Sequence, residues 1–142
     1  MQKSTNLFLV ILLCVLSVNG QDLTKHQWKD RLILIVTEDE NNKKYQQQLS
    51  ELKKHQGGIN DRQLIIYRIL PGKYNIGFAQ KNWNNSALFY KKYNAEENIF
   101  LVILIGLDGN EKLVQTEVIS AEKLFNTIDS MPIRQSEMLK NR

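Results

Sequence analysis

The chain has one cysteine, two histidines, two prolines and two tryptophans in 142 residues. Each scarcity excludes something. The lone cysteine, Cys14, lies in the apolar first segment, so residues 21–142 hold no thiol and neither a disulfide nor thiol redox chemistry is expected there. His26 and His55 are far apart and stand in no H-x-x-H, H-E-x-x-H or Cys/His spacing. The acidic trio Glu38, Asp39 and Glu40 lacks the alternating oxygen ligands of a calcium loop, so no metal and no cofactor is expected. His55, beside Lys53 and Lys54, is read as a cation in the last turn of a helix. The nucleophile elbow G-x-S-x-G is absent, and Thr37, Ser50 and Ser86 have no recognisable base with an orienting partner. Internal repeats, low-complexity tracts and interdomain linkers are missing as well.

What is present begins with an address. "MQKSTNLFLVILLCVLSVNGQD" carries Lys3, an apolar run over residues 7–18, and Val18-Asn19-Gly20 placed for a cut before Gln21. This is the pattern of a secretory signal peptide over residues 1–20. Twelve apolar residues fall short of the roughly 18–20 a membrane-spanning helix needs. A lipid anchor on Cys14 is disfavoured by the bulky Ile11, Leu12 and Leu13 before it. The expected product is exported, periplasmic or secreted, without a stable membrane anchor. Removing Lys3 leaves 18 basic against 15 acidic residues, a net charge near +3. The positives are spread along the chain and interleaved with acids, as on solvated helix faces, so no nucleic-acid partner is expected. Residues 21–142 suit a single domain with a real core.

Along that domain, "RLILIVT" (Arg31–Thr37) is a continuous β-branched apolar run, the signature of a strand covered on both faces. Residues 41–56 place Tyr45, Leu49 and Leu52 on one helical face, with Gly57 at the position of a left-handed C-terminal cap. "QLIIYRIL" (residues 63–70) reads as a second buried strand ended by Pro71-Gly72, parallel to the first through the helical crossover. Residues 72–81 read as loop, and residues 84–93 as a short helix with Leu88 and Phe89 inward. Residues 99–105 form a third buried strand, Asp108-Gly109 a hairpin turn, and residues 112–118 an alternating edge strand. Ser120 then caps a last amphipathic helix, with Glu122 in its first turn. The predicted order is β-α-β-α-β-β-α on a four-stranded mixed sheet, an α/β three-layer sandwich of the thioredoxin-like kind.

Three stretches, "HQWKDRLILIVT", "LIGLDGNEKL" and "IDSMPIRQSEM", resemble a family of domains of unknown function with a thioredoxin-like, peroxiredoxin-like (DUDES) fold. The family is found in bacterial exported proteins and in vertebrate sushi-repeat and coiled-coil matrix proteins. The resemblance spans about residues 23–139. Its most specific part is the tail, matched by Asp129, Met131, Pro132, Ile133, Arg134 and Glu137. Leu107 and Val114 stand where the family often carries a lysine and an arginine. In thioredoxin-like enzymes the reactive cysteine follows a core strand near the start of the next helix. The equivalent stretch is "VTEDENNKK", whose three acids are read as a solvated loop and helix start.

The tail has a local explanation. Pro132 keeps Met131 out of helical geometry and suits the first turn of a new helix, so one helix stops and another begins. Arg134 and Glu137 then pair at i, i+3. As a structural site, Arg134 bonds Glu137, Asp129 or a carbonyl. As a recognition site, Arg134 with Lys112 or Arg31 meets an anionic ligand. The candidate polar site is therefore Arg31, Lys112, Asp129, Arg134 and Glu137. Trp28, Trp83 and Tyr74 are candidate aromatics for a binding surface, by default packed on the core edges. Two functions stand: an exported non-catalytic module binding a protein, glycan or small ligand in the cell envelope or outside the cell, or an enzyme of unknown reaction using that non-thiol polar site. Mass spectrometry of exported material is expected to show a free amino terminus at Gln21 and no lipid. A diacylglyceryl adduct on Cys14, or an uncut amino terminus on the folded product, contradicts this address.

Overall fold

The computed structural model describes residues 22–79 and 81–141. The segment read as a signal peptide, with Cys14 and the cut before Gln21, lies outside the described residues. The centre of the fold is β1 (Arg31–Thr37), in which every residue is buried. Complete burial follows from its two neighbours and two covered faces. β1 pairs in parallel with β2 (Leu64–Leu70) and antiparallel with β5 (Phe100–Ile105). The remaining strands are β3 (Lys73–Ile76), β4 (Asn84–Asn85) and β6 (Glu111–Gln115), giving the sheet order β4-β3-β2-β1-β5-β6.

Alternation along the strands divides the core in two. Ile33 and Ile35 of β1, with Val102 and Leu104 of β5, face α1 (Lys43–Lys53), α2 (Gln56–Asp61) and α4 (Ala121–Asp129) through Tyr45, Leu49, Leu52, Ile59, Leu124 and Ile128. Leu32, Leu34 and Val36 face the other way. There Tyr67, Tyr74 and Phe89 form an aromatic cluster closed by Leu23 of an amino-terminal 3-10 turn (Leu23–His26) and by α3 (Ala87–Tyr93). The result is a three-layer α/β arrangement with helices on both faces of a mixed sheet.

Local signals decide most boundaries. The Asn42 side chain accepts from Tyr45 N–H at 3.1 Å to start α1, and that of Ser120 accepts from Lys123 N–H at 3.2 Å to start α4. Asp108-Gly109 makes the predicted hairpin, with Gly109 at φ 79° and the Asp108 side chain accepting from Asn110 N–H. Met131 is extended (φ −72°, ψ 137°), and Pro132 opens α5 (Pro132–Lys140), as the tail pattern requires.

Four expectations are corrected. The sheet has six strands, not four, because Pro71-Gly72 is a two-residue reversal with Gly72 at φ 77°, which turns β2 straight back into β3. Residues 72–81 are therefore part strand, with Tyr74 buried and Ile76 exposed. Gly57 is not a left-handed cap: the chain breaks at Lys54 and His55, and Gly57 lies within α2, while the left-handed residue that leads into β2 is Gln63 (φ 48°). Finally, α3 begins only at Ala87, capped by Ser86, which rotates Leu88 into solvent (59 % exposed) and leaves Phe89 alone inward.

Candidate functional site

The parallel pairing of β1 and β2 brings Arg31, the first residue of β1, beside Arg62 at the entry to β2. The α4–α5 corner packs against the same end of the sheet. Four of the five candidate residues meet here. Arg31 Nη2 donates to Glu137 Oε1 at 3.1 Å and Arg31 Nη1 to the Arg62 carbonyl at 3.0 Å. Arg134 donates through Nε to Asp129 Oδ1 at 3.1 Å, through Nη1 to the Asp61 carbonyl at 3.0 Å and to Glu137 Oε2 at 3.4 Å, and through Nη2 to the Asp61 carboxylate. Arg62 grips both oxygens of Asp129, from Nε at 3.0 Å and Nη2 at 2.5 Å, while its guanidinium lies 4.3 Å from the Phe125 ring centre. Three arginines thus meet three carboxylates. Arg31 is 1 % exposed and Arg134 4 %.

Lys112 does not join them. It sits on β6 across the hairpin, where its ammonium bonds Asp108 Oδ2 at 2.7 Å. Gly106 makes this possible, since a Cβ there would lie 2.6 Å from Lys112 Cε. Lys112 and Arg31 are nonetheless close neighbours of one space. A cavity of about 530 Å³ is lined by Arg31, by Gly106, Leu107, Asp108 and Lys112 of the hairpin, and by Thr127, Ser130, Met131, Pro132 and Ile133 of the α4–α5 corner. The Nε of Arg31 is buried and has no hydrogen-bond partner among the described residues.

The acids around this space are held ionised. Hydrogen bonds from the Lys112 and Asn110 side chains push Asp108 down to about 2. Burial alone would raise the Asp129 carboxyl, but hydrogen bonds from Arg62 and Arg134, helped by their charges, outweigh it and leave it below the ordinary 3.8. Neither carboxylate is tuned to exchange a proton near neutrality, as a general acid or base must be.

The stretch equivalent to a thiol-enzyme loop holds other chemistry. Thr37 is buried and its hydroxyl lies within hydrogen-bond reach of the carbonyls of Asp39 and Ile99, with one proton to share between them, while Glu40 pairs with Lys73 at 2.7 Å. Of the candidate aromatics, Tyr74 is core. Trp83 receives Lys73 at 4.4 Å and Arg68 at 5.0 Å over its ring, and Trp28 is 66 % exposed. Sequence reasoning missed Asp61 and Arg62, which stand at the carboxyl-terminal end of α2, in no motif. It also missed a chain in which Asp30 Oδ2 contacts His26 Nδ1 at 2.7 Å and Tyr67 Oη contacts His26 Nε2 at 2.8 Å. The i, i+4 spacing of His26 and Asp30 was the available signal. Burial pushes the Tyr67 phenol up to about 12, and at 1 % exposure it faces no substrate, so the chain ties the amino-terminal turn to β2.

With this geometry described, three comparisons bear on kinship. A family model described as "Domain of unknown function (DUF4174)" matches residues 22–137. Among solved structures, reduced 2-Cys peroxiredoxin of Plasmodium vivax is similar with a TM-score of 0.55 and 13 % identity, over 82 % of this chain and 84 % of that one. At that identity the likeness establishes a thioredoxin-like fold and nothing of activity. No curated protein matches the chain.

Two predictions follow from the network geometry. Arg134→Ala strands three carboxylate contacts and is expected to lower stability by about 2–4 kcal/mol in denaturant titrations, with Arg134→Lys losing less because charge survives while the planar fork is lost. An unmoved midpoint for the alanine variant would show that the network carries no folding energy. Asp129, lower in the folded state than unfolded, contributes stability that is complete above its unfolded value and is lost as pH falls through the folded one. Wild-type stability should therefore decline as pH drops below about 4, and Asp129→Asn should flatten that decline. Parallel acid limbs for the two proteins would contradict the assignment.

Proposed function

The chain belongs to the DUF4174 family of domains of unknown function, and from that premise we propose that it is an exported, non-catalytic thioredoxin-like binding module, working in the periplasm or outside the cell. The observation that carries this reading is the combination of a cavity with fixed charge. The basic groups that sequence analysis singled out are locked by hydrogen bonds, and the acids beside them stay ionised, so the site can hold a charged ligand but has no group set to move a proton. A thioredoxin-like fold without a thiol in residues 21–142 points the same way. The leader-like pattern of residues 1–20 supports export, and among the described residues no helix is long and apolar enough to cross a membrane. The partner is a protein, glycan or small ligand of the cell envelope or exterior, not nucleic acid.

Amide NMR of residues 21–142 against fragments covering acids, amines, neutral amides and sugars tests this. Saturable shifts are expected at residues 106–112 and 127–133, with every fragment recovered chemically unchanged. Conversion of any fragment would establish the enzymatic alternative instead, and an absence of saturable shifts at those residues would remove the binding site from this reading.

A further inference from the structure

The cavity above Arg31 has a lopsided supply of hydrogen-bonding groups. Its hydroxyls are used: Thr127 Oγ1 donates to the Lys123 carbonyl at 2.8 Å and Ser130 Oγ to the Thr127 carbonyl at 2.7 Å. Its exposed acceptors are used as well, because Asp108 takes Lys112 and Asn110, and the Leu107 carbonyl takes the Trp28 N–H at 2.6 Å. What remains is donors. Arg31 Nε–H is buried without an acceptor, and Lys112 has three N–H groups for its single partner, Asp108 Oδ2. An unmatched buried donor is unfavourable until an acceptor reaches it. The charged groups lining the cavity are Arg31, Lys112 and Asp108; Glu137 pairs with Arg31 and Asp108 with Lys112, so the spare donors rather than a surplus of charge set what the cavity can take. Leu107, Met131, Pro132 and Ile133 supply apolar wall.

We propose that this cavity binds a small organic monocarboxylate with an apolar body, its oxygens taken by Lys112 Nζ and Arg31 Nε, its hydrocarbon part lying against Leu107, Met131 and Pro132. This rests on the reading of the domain as a binding module and names the ligand class for it. One carboxylate group supplies the two oxygen acceptors that these two donors lack. A phosphate-like dianion calls for further cations, and the nearby ones, Arg62 and Arg134, are already saturated with carboxylates. Arg31 is preorganised for the role: its Nη1 and Nη2 are held by the Arg62 carbonyl and Glu137, which fixes the guanidinium before any ligand arrives.

The test uses 4-methylpentanoate and its neutral isostere 4-methylpentanamide, titrated into ¹⁵N-labelled protein with the arginine Nε–H signals observed. The acid is expected to shift the Arg31 Nε–H and the amides of residues 106–108 and 130–133, and to bind about tenfold more tightly than the amide. Lys112→Gln should weaken the acid at least about threefold and leave the amide unchanged. Equal affinity for acid and amide, or acid-induced shifts that avoid Arg31, would overturn the ligand class while leaving the cavity as a binding site. Absence of binding by both compounds overturns the proposal, and the fragment map then separates the cases: fragments of another class in the cavity spare the binding-module reading, and an empty map ends it too.

Discussion

The rest of the structure depends on three guanidinium groups brought to one end of the sheet. Parallel pairing of β1 with β2 forces Arg31 and Arg62 together, and Arg134 enters from α5, so three like charges share one corner. Removing such charges from water is unfavourable unless each is paired and hydrogen-bonded. Asp61, Asp129 and Glu137 meet that demand, and their positions set the geometry of everything nearby. Asp129 closes α4, Glu137 belongs to α5, and the extended Met131 before Pro132 is the bend that lets both carboxylates reach the arginines. The gain is chiefly specificity of arrangement. Apolar residues of similar volume also fill space, whereas this pairing fixes the α4–α5 corner in one register against the strands.

That corner makes the cavity. Its wall is the same Met131-Pro132-Ile133 bend, its floor is Arg31, and its opposite side is the β5–β6 hairpin with Lys112 folded over Gly106. Structure and electrostatics are thus one problem here: the ion pairs that hold the tail also hold Arg31 with a spare donor and keep the acids ionised. The fold is shared with a peroxiredoxin, yet β1 ends in a Thr37 buried in carbonyl contacts and the loop after it carries carboxylates such as Glu40. Chemistry that needs a thiolate has no atom to use at that loop. The polar features of the chain have instead gathered at the other end of β1.

Sequence alone carried the strands that are buried on both faces, the Asp108-Gly109 hairpin, the Ser120 cap and the Pro132 break, because each is decided within a few residues. Pro71-Gly72 was legible as a stop but not as a reversal: the same dipeptide serves both, and the choice is made by the free edge of β2 that β3 can join. The end of α1 was misplaced for a tertiary reason as well, since Gly58 packs against Phe125 of α4, a contact with no local signal. At the site, the tail motif exposed Asp129, Arg134 and Glu137, and the strand boundary exposed Arg31. Asp61 and Arg62 were invisible, because a charged pair at the end of a short helix looks like solvated surface until β2 is laid beside β1. Lys112 was grouped with the arginines by charge, whereas the hairpin delivers Asp108 to it first.

The central claim is that the network acts as a unit through shared carboxylates. Arg31 and Arg134 have no hydrogen bond to each other, yet they hold the two oxygens of one residue, Glu137. A double-mutant cycle with Arg31→Met and Arg134→Met, read by urea unfolding at neutral pH, measures that link directly. The two losses are expected to be non-additive by at least about 1 kcal/mol. Additivity to within about 0.5 kcal/mol would contradict that claim, reducing the corner to independent ion pairs that happen to lie close together.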